Sequence, residues 1–167
     1  HLTKSFVHNI STILKIYCKK CKDLEHYLIF LLKVKFKIMK LKIPKLTVVG
    51  AGPGDVDLIT LKAIKVLKTA DVVLYDALVN EELLDFVNPN AELIFVGKRR
   101  GCYKYQQEQI NELIVTRAKS SGHVVRLKGG DPFIFGRGAE EMEYAASFGI
   151  ATAMVPGISS SLAVPAS

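Results

Sequence analysis

Residues able to do chemistry gather in five short stretches of this 167-residue chain: GAGPGDVD at 50–57, LYD at 74–76, GKRRG at 97–101, KGGDPFIFGRG at 128–138 and PGISSS at 156–161. The first follows the apolar run Leu46–Val49 and precedes a helix-like pattern, which is the strand, glycine turn, helix order of a nucleotide site. A dinucleotide fingerprint, GxGxxG, uses its third glycine for helix–strand packing and sets the pyrophosphate on the helix N-terminus. Here Gly50 and Gly52 are followed by Asp55 in the third place, so a carboxylate stands where a phosphate would lie. Pro53 removes a backbone donor from any phosphate cradle. Asp71 or Asp76 could serve as the acid that holds a ribose further along, so the match is partial. The turn suits a ligand with an adenosine and a charged tail but no phosphates better than it suits NAD. S-adenosylmethionine is such a ligand.

Asp76 closes the apolar run before it, where a carboxylate either caps a turn or faces a cleft. Lys98, Arg99 and Arg100 follow the next apolar run. They form either a solvated basic loop or a cationic, proton-donating edge for a substrate with several carboxylates. Gly129 and Gly130 permit positive φ and close approach of a ligand. Pro132 stiffens that turn, and Phe133, Ile134 and Phe135 offer an apolar wall or a core plug. Asp131 is able to bond ribose hydroxyls or an ammonium. Ser159, Ser160 and Ser161 either cap a helix or present amides and hydroxyls to a ligand.

The elements that must position these groups alternate regularly. Strands are expected at 46–49, 71–76, 92–97, 123–131 (running into the glycine turn) and 151–155. Helices are expected from the N-cap Thr60 through Leu67, from Asn80 to the Asn88-Pro89 stop, over 107–118 before Gly122, and over 139–148 before Gly149. Apolar strands alternating with helices predict an α/β fold with a doubly wound, mostly parallel sheet. Ligands collect at the carboxyl ends of such strands, where all five stretches fall.

The net charge of +7 is unevenly spread. Residues 1–38 hold eight lysines against Asp23 and Glu25, whereas residues 39–167 hold 15 basic and 14 acidic side chains. The domain therefore lacks a basic footprint, and nucleic acid is not an expected partner. The longest apolar run of the leader, Tyr27–Leu32, is too short to span a bilayer, and no small-residue cleavage site follows it. The leader reads either as a targeting or membrane-surface arm or as sequence upstream of a start at Met39, and the second is expected. Cys18, Cys21 and Cys102 make neither a disulfide framework nor a complete metal site. Cys102 fits a free thiol in a reducing compartment, the cytoplasm, or an organelle stroma if the leader is a targeting segment, and no metal is expected.

The segments VVGAGPGDVDLITLKA, VVLYDALV, VGKRRG, RLKGGDPFIFGRGAEE and VPGISS, in that order, resemble the tetrapyrrole methylase family over about residues 45–167. The resemblance implies two α/β domains with S-adenosylmethionine between them. Residues 39–156 would be the first domain and 157–167 the opening of a second that is largely absent here. It further implies that Pro53, Gly129, Gly130, Asp131, Ile134, Ser159 and Ser160 contact the cofactor, that Asp76 accepts a proton and that Lys98 donates one. The implied reaction is a pair of methyl transfers to carbons of uroporphyrinogen III, giving precorrin-2 on the siroheme and cobalamin branch, by a homodimer. Arg99 and Arg100, with Lys98, suit the substrate's carboxylates. Related methylases acting later typically lack an acid at the position of Asp76. Two departures stand out: Ala77 replaces a frequent arginine, and Tyr103-Lys104-Tyr105-Gln106 replaces a Ser-Val-Pro-Gln-like stretch.

Overall fold

The computed structural model describes residues 42–97 and 105–166. The expectations for the leader, Met39, the three cysteines and Tyr103-Lys104 lie outside the described residues, as do Lys98, Arg99 and Arg100. Five strands, β1 (Lys45–Gly50), β2 (Val72–Tyr75), β3 (Glu92–Phe95), β4 (His123–Lys128) and β5 (Ala151–Val155), form one sheet in the order β3-β2-β4-β1-β5. Every pairing in it is parallel. Helices α1 (Leu61–Leu67), α2 (Gln107–Ser121), α3 (Gly138–Ser147) and α4 (Ser160–Ala166) complete the unit. The fold is thus the expected α/β fold.

Strand alternation splits the core in two. Leu46, Val48, Val72, Leu74 and Val124 meet Ile110, Ile114, Val115 and Ala118 of α2 and Ala145 of α3. The intervening Val49, Val73, Val125 and Leu127 meet Ala63 and Leu67 of α1, with Leu83 and Val87 beside them. Both faces of the sheet are covered, which is what makes it doubly wound. Local signals set the helix ends: Thr60 accepts from the Ala63 amide at 3.2 Å, and Gly122 and Gly149 take φ of +108° and +74° where helices stop.

One expected α-helix is different. Glu81–Phe86 is a 3-10 helix, with Leu83 N–H donating to Asn80 O at 3.1 Å and Val87 N–H to Leu84 O at 3.0 Å. Asn88 explains the tighter winding. Its amide donates to Leu67 O at 3.2 Å and its side chain to Ala70 O at 3.3 Å, so the segment is pinned to the end of α1 after six residues. Strands β2 and β3 also end one and two residues earlier than expected, leaving Asp76 and Gly97 as loop residues at the carboxyl edge, while β4 runs into the expected glycine turn at Gly129–Asp131.

Candidate active site

Strand order places β1 and β4 side by side, although β2 and β3 intervene in the sequence, and the glycine turns that follow both strands meet at one edge. Gly52 and Gly130 form an antiparallel bridge across this edge, with N–H to O distances of 3.2 Å and 2.7 Å in the two directions. Beside this bridge, Gly50 and Gly157 are packed too closely to carry a side chain. A Cβ on Gly50 would lie 2.5 Å from Gly157 N, and one on Gly157 would lie 2.3 Å from Gly130 O. The turns after β1, β4 and β5 are therefore stitched backbone to backbone.

Asp131 braces the same junction. Its Oδ1 accepts the Phe133 amide at 2.9 Å and its Oδ2 accepts the Gly157 amide at 3.2 Å. The carboxylate thus fixes its own turn and the start of the serine segment, and only its remaining lone pairs are left for a ligand. Ser159 is buried and caps α4: its Oγ accepts the Ser161 amide at 3.3 Å, and its carbonyl accepts the Ala163 amide at 3.0 Å. Between these supports the loop 131–137 is strained, with Phe135 and Arg137 at φ of +57° and +55°. Positive φ in bulky residues costs energy and is retained where surroundings impose it. Phe135 is fully exposed, and Phe133 and Ile134 are about half-exposed, so the apolar wall expected here faces outward rather than plugging the core.

These turns enclose a cleft of about 430 Å³. Pro53, Asp76, Gly129, Gly130, Asp131, Ile134, Ser159 and Ser160 all line it, so the described residues that the family resemblance singles out come together, whereas Asp55, Asp71 and Phe133 lie off this lining. The volume falls within the range of roughly 300–1,000 Å³ typical of small-molecule sites. Gly130, at φ +65°, leaves room for a Cβ, which would sit in ordinary contact with Ser159 Cα and Ser160 N at 3.9 Å. Such a cradle admits an adenosine-sized ligand against bare backbone, so the residues present fit S-adenosylmethionine.

Asp76 stands at the cleft with both oxygens engaged. Oδ1 accepts the Leu78 amide at 3.1 Å, and Oδ2 accepts from Arg126 Nη2 at 3.1 Å. Arg126 is buried and also donates to the carbonyls of Leu74 and Leu127 and, through Nε, to Glu141 Oε1 at 3.3 Å. The same Glu141 oxygen accepts from Lys128 Nζ at 3.3 Å and from Gln107 Nε2 at 3.2 Å, while Glu141 Oε2 is buried without a partner among the described residues. Burial pushes the Lys128 ammonium below the ordinary lysine pKa, helped by the Arg126 charge and opposed by Glu141.

Sequence reasoning missed this four-charge network. The signal was present in HVVRLK, where Arg126 and Lys128 alternate on one face of a strand otherwise apolar on both sides. Two cations buried in a parallel sheet require a buried acid, and Glu141 in the first turn of α3 is that acid. Among the described residues no group of three or more His, Cys, Asp or Glu is placed to hold a metal ion. No described helix is long and apolar enough to cross a membrane.

A parallel doubly wound sheet with a glycine-walled cleft at its switch point defines a small-ligand-binding α/β protein. Residues 45–167 match the family of tetrapyrrole (corrin/porphyrin) methylases, and the chain belongs to that family. It is 53% identical over 121 residues to a uroporphyrinogen-III C-methyltransferase of Methanocaldococcus jannaschii, covering 72% of this chain and 50% of that protein. A uroporphyrinogen-III C-methyltransferase of Cyanidium caldarium is 55% identical over 124 residues, covering 74% of this chain and 49% of the relative. The chain therefore spans about half the length of these two relatives. Among solved structures, the uroporphyrin-III C-methyl transferase of Thermus thermophilus complexed with S-adenyl homocysteine superposes with a TM-score of 0.64 at 46% identity. That match covers 72% of this chain and 51% of the other.

Proposed function

We propose that this chain acts in the S-adenosylmethionine-dependent C-methylation of uroporphyrinogen III to precorrin-2. The observation that carries the reading is the convergence of Pro53, the Gly129–Asp131 turn, Ile134, Ser159–Ser160 and Asp76 on one cleft. The relatives carrying that activity in their names supply the substrate class. Asp76 sets the chain apart from methylases acting later on the same ring system, as the family resemblance implies.

Each group has a definable task. The bare backbone at Gly129–Gly130 accepts the adenosine, with Pro53 and Ile134 as apolar contacts and Asp131 and the serines as polar ones. When bound, S-adenosylmethionine supplies an electrophilic methyl group. Alkylation of a ring carbon that bears hydrogen, or of a carbon in conjugation with an N–H, must release a proton, and the Asp76 carboxylate accepts it. Lys98, the proton donor that the resemblance implies, can supply a proton to one ring position only as a second leaves another, so that one net proton is lost for each methyl gained, and Arg99 and Arg100 neutralise substrate carboxylates. Ile134 and Phe135, which line the cleft, limit water at the reacting carbon.

The test is calorimetric titration of the protein with S-adenosylhomocysteine and, in parallel, with NAD. Mass spectrometry of uroporphyrinogen III incubated with S-adenosylmethionine and the protein completes it. Binding of S-adenosylhomocysteine but not NAD, with two methyl groups added, supports the reading; the reverse preference overturns it. A homodimer and a reducing, cytoplasmic setting accompany the proposal, the first by family resemblance and the second from the cysteine pattern. Light scattering and localisation of a tagged protein check them.

A further inference from the structure

We propose that Lys128 is a carboxylate-binding residue of the cleft, an assignment that rests on the cleft being the ligand site described above. Lys128 ends β4 immediately before Gly129, lines the cleft and is only 6% exposed. Its stem is held in place: a Cβ on Gly136 would lie 3.2 Å from Lys128 Cε, so that glycine leaves room for the side chain under the loop. An ammonium has three N–H donors. Among the described residues one acceptor engages it, Glu141 Oε1 at 3.3 Å.

The neighbouring cation is used quite differently. Arg126 distributes its donors over Glu141, Asp76 and the carbonyls of Leu74 and Leu127, all within the protein. Arg126 is therefore a structural cation, whereas Lys128 shares one carboxylate oxygen with Arg126 and Gln107 and keeps donors for the cleft. A carboxylate arriving there gains a charge-assisted hydrogen bond from a desolvated donor that is already oriented. A phosphate is a poorer occupant, because Asp76 and Asp131 line the same cleft and oppose a doubly charged anion.

Two sources offer a carboxylate: the amino-acid tail of the methyl donor, and the side chains of the tetrapyrrole. Calorimetry with S-adenosylhomocysteine and with methylthioadenosine, which lacks the amino-acid tail, separates them. In Lys128→Met we expect a loss of affinity on the order of tenfold to a hundredfold for one carboxylate ligand. Loss for S-adenosylhomocysteine with methylthioadenosine unchanged assigns the tail. Unchanged S-adenosylhomocysteine affinity with a comparable rise in KM for uroporphyrinogen III assigns the substrate. Either result supports the proposal, and Lys128→Arg should recover part of the loss.

Equal loss for S-adenosylhomocysteine and methylthioadenosine, or no change in any of these quantities, overturns it. The double variant Lys128→Met/Glu141→Gln keeps the network free of an uncompensated carboxylate if the single variant unfolds. Wild-type protein that binds no S-adenosylhomocysteine would instead overturn the functional reading itself.

Discussion

Arg126 Nη2 lies 3.1 Å from Asp76 Oδ2, and the other oxygen of the same carboxylate accepts the Leu78 amide, also at 3.1 Å. The guanidinium comes from the neighbouring strand β4 and is buried, so the carboxylate is fixed in direction before any substrate arrives. Asn in place of Asp76 offers a single acceptor oxygen, and either Arg126 or the Leu78 amide loses its partner. Asp76→Asn should therefore lower stability by about 1–3 kcal/mol. It should also slow methyl transfer by roughly 10²–10⁴-fold as the proton acceptor is lost. Affinity for S-adenosylhomocysteine should hold. Steady-state rates beside calorimetry check this, and wild-type turnover in the variant would remove Asp76 from catalysis.

The glycines of the junction should separate by where their missing side chains point. Gly157→Ala drives a methyl to 2.3 Å from Gly130 O, a backbone atom that cannot yield without moving the β4 turn. Gly130→Ala meets only the strain of φ +65°, about 1–2 kcal/mol. Urea unfolding should show Gly157→Ala as the more destabilised variant. Gly130→Val should unfold less readily than Gly157→Ala yet lose cofactor affinity, because its branched side chain projects into the cleft. Unchanged affinity in Gly130→Val would reduce this turn to a connector.

Glu141 is the only acid among the described residues bonded to both Arg126 and Lys128. Glu141→Ala leaves two buried cations short of a counter-charge and should cost about 3–5 kcal/mol. Glu141→Gln keeps an acceptor oxygen and should cost less. Chemical denaturation of the two variants gives the comparison, and equal stability of Glu141→Ala and wild type would show that the network contributes nothing to the fold.

Acid should loosen the opposite edge of the sheet through His123. Burial lowers its pKa below the ordinary histidine value of 6.5, aided by Lys45 and opposed by the Thr69 carbonyl and Asp71. Its ring nitrogens meet Thr47 Oγ1 at 2.9 Å and Thr69 O at 3.2 Å. Between the folded and unfolded pKa values the unfolded chain binds more protons, so stability is full above pH 6.5 and falls as pH drops through the folded value. Asp71, accepting from Lys42 and from the His123 amide, has its own pKa lowered despite opposing burial, so its contribution fades only below about pH 4. Thermal melts from pH 7.5 to 5 should show a declining midpoint that His123→Gln flattens; an unchanged slope in the variant would exclude His123 as the source.

How far the sequence could be read follows from the range of the interactions involved. Strand β5 has the expected bounds, and the Thr60 cap and the Gly122 and Gly149 stops act as their residue types dictate, because each signal is completed within a few residues. The 3-10 winding of Glu81–Phe86 was hidden, since it depends on Asn88 reaching α1. The glycine motifs pointed to the cleft because backbone exposure is written in residue type. Arg126, Lys128 and Glu141 were not legible as a group, because their meaning depends on a strand and a helix meeting across thirteen and fifteen residues.

If the cleft between the β1, β4 and β5 turns holds S-adenosylmethionine, a crystal structure of the protein with S-adenosylhomocysteine should show the ligand there. The adenosine should lie against the bare backbone of Gly129 and Gly130, with Pro53 and Ile134 in contact and Ser159–Ser160 on its edge. Ligand bound elsewhere on the protein, with this cleft empty at saturating concentration, would contradict it.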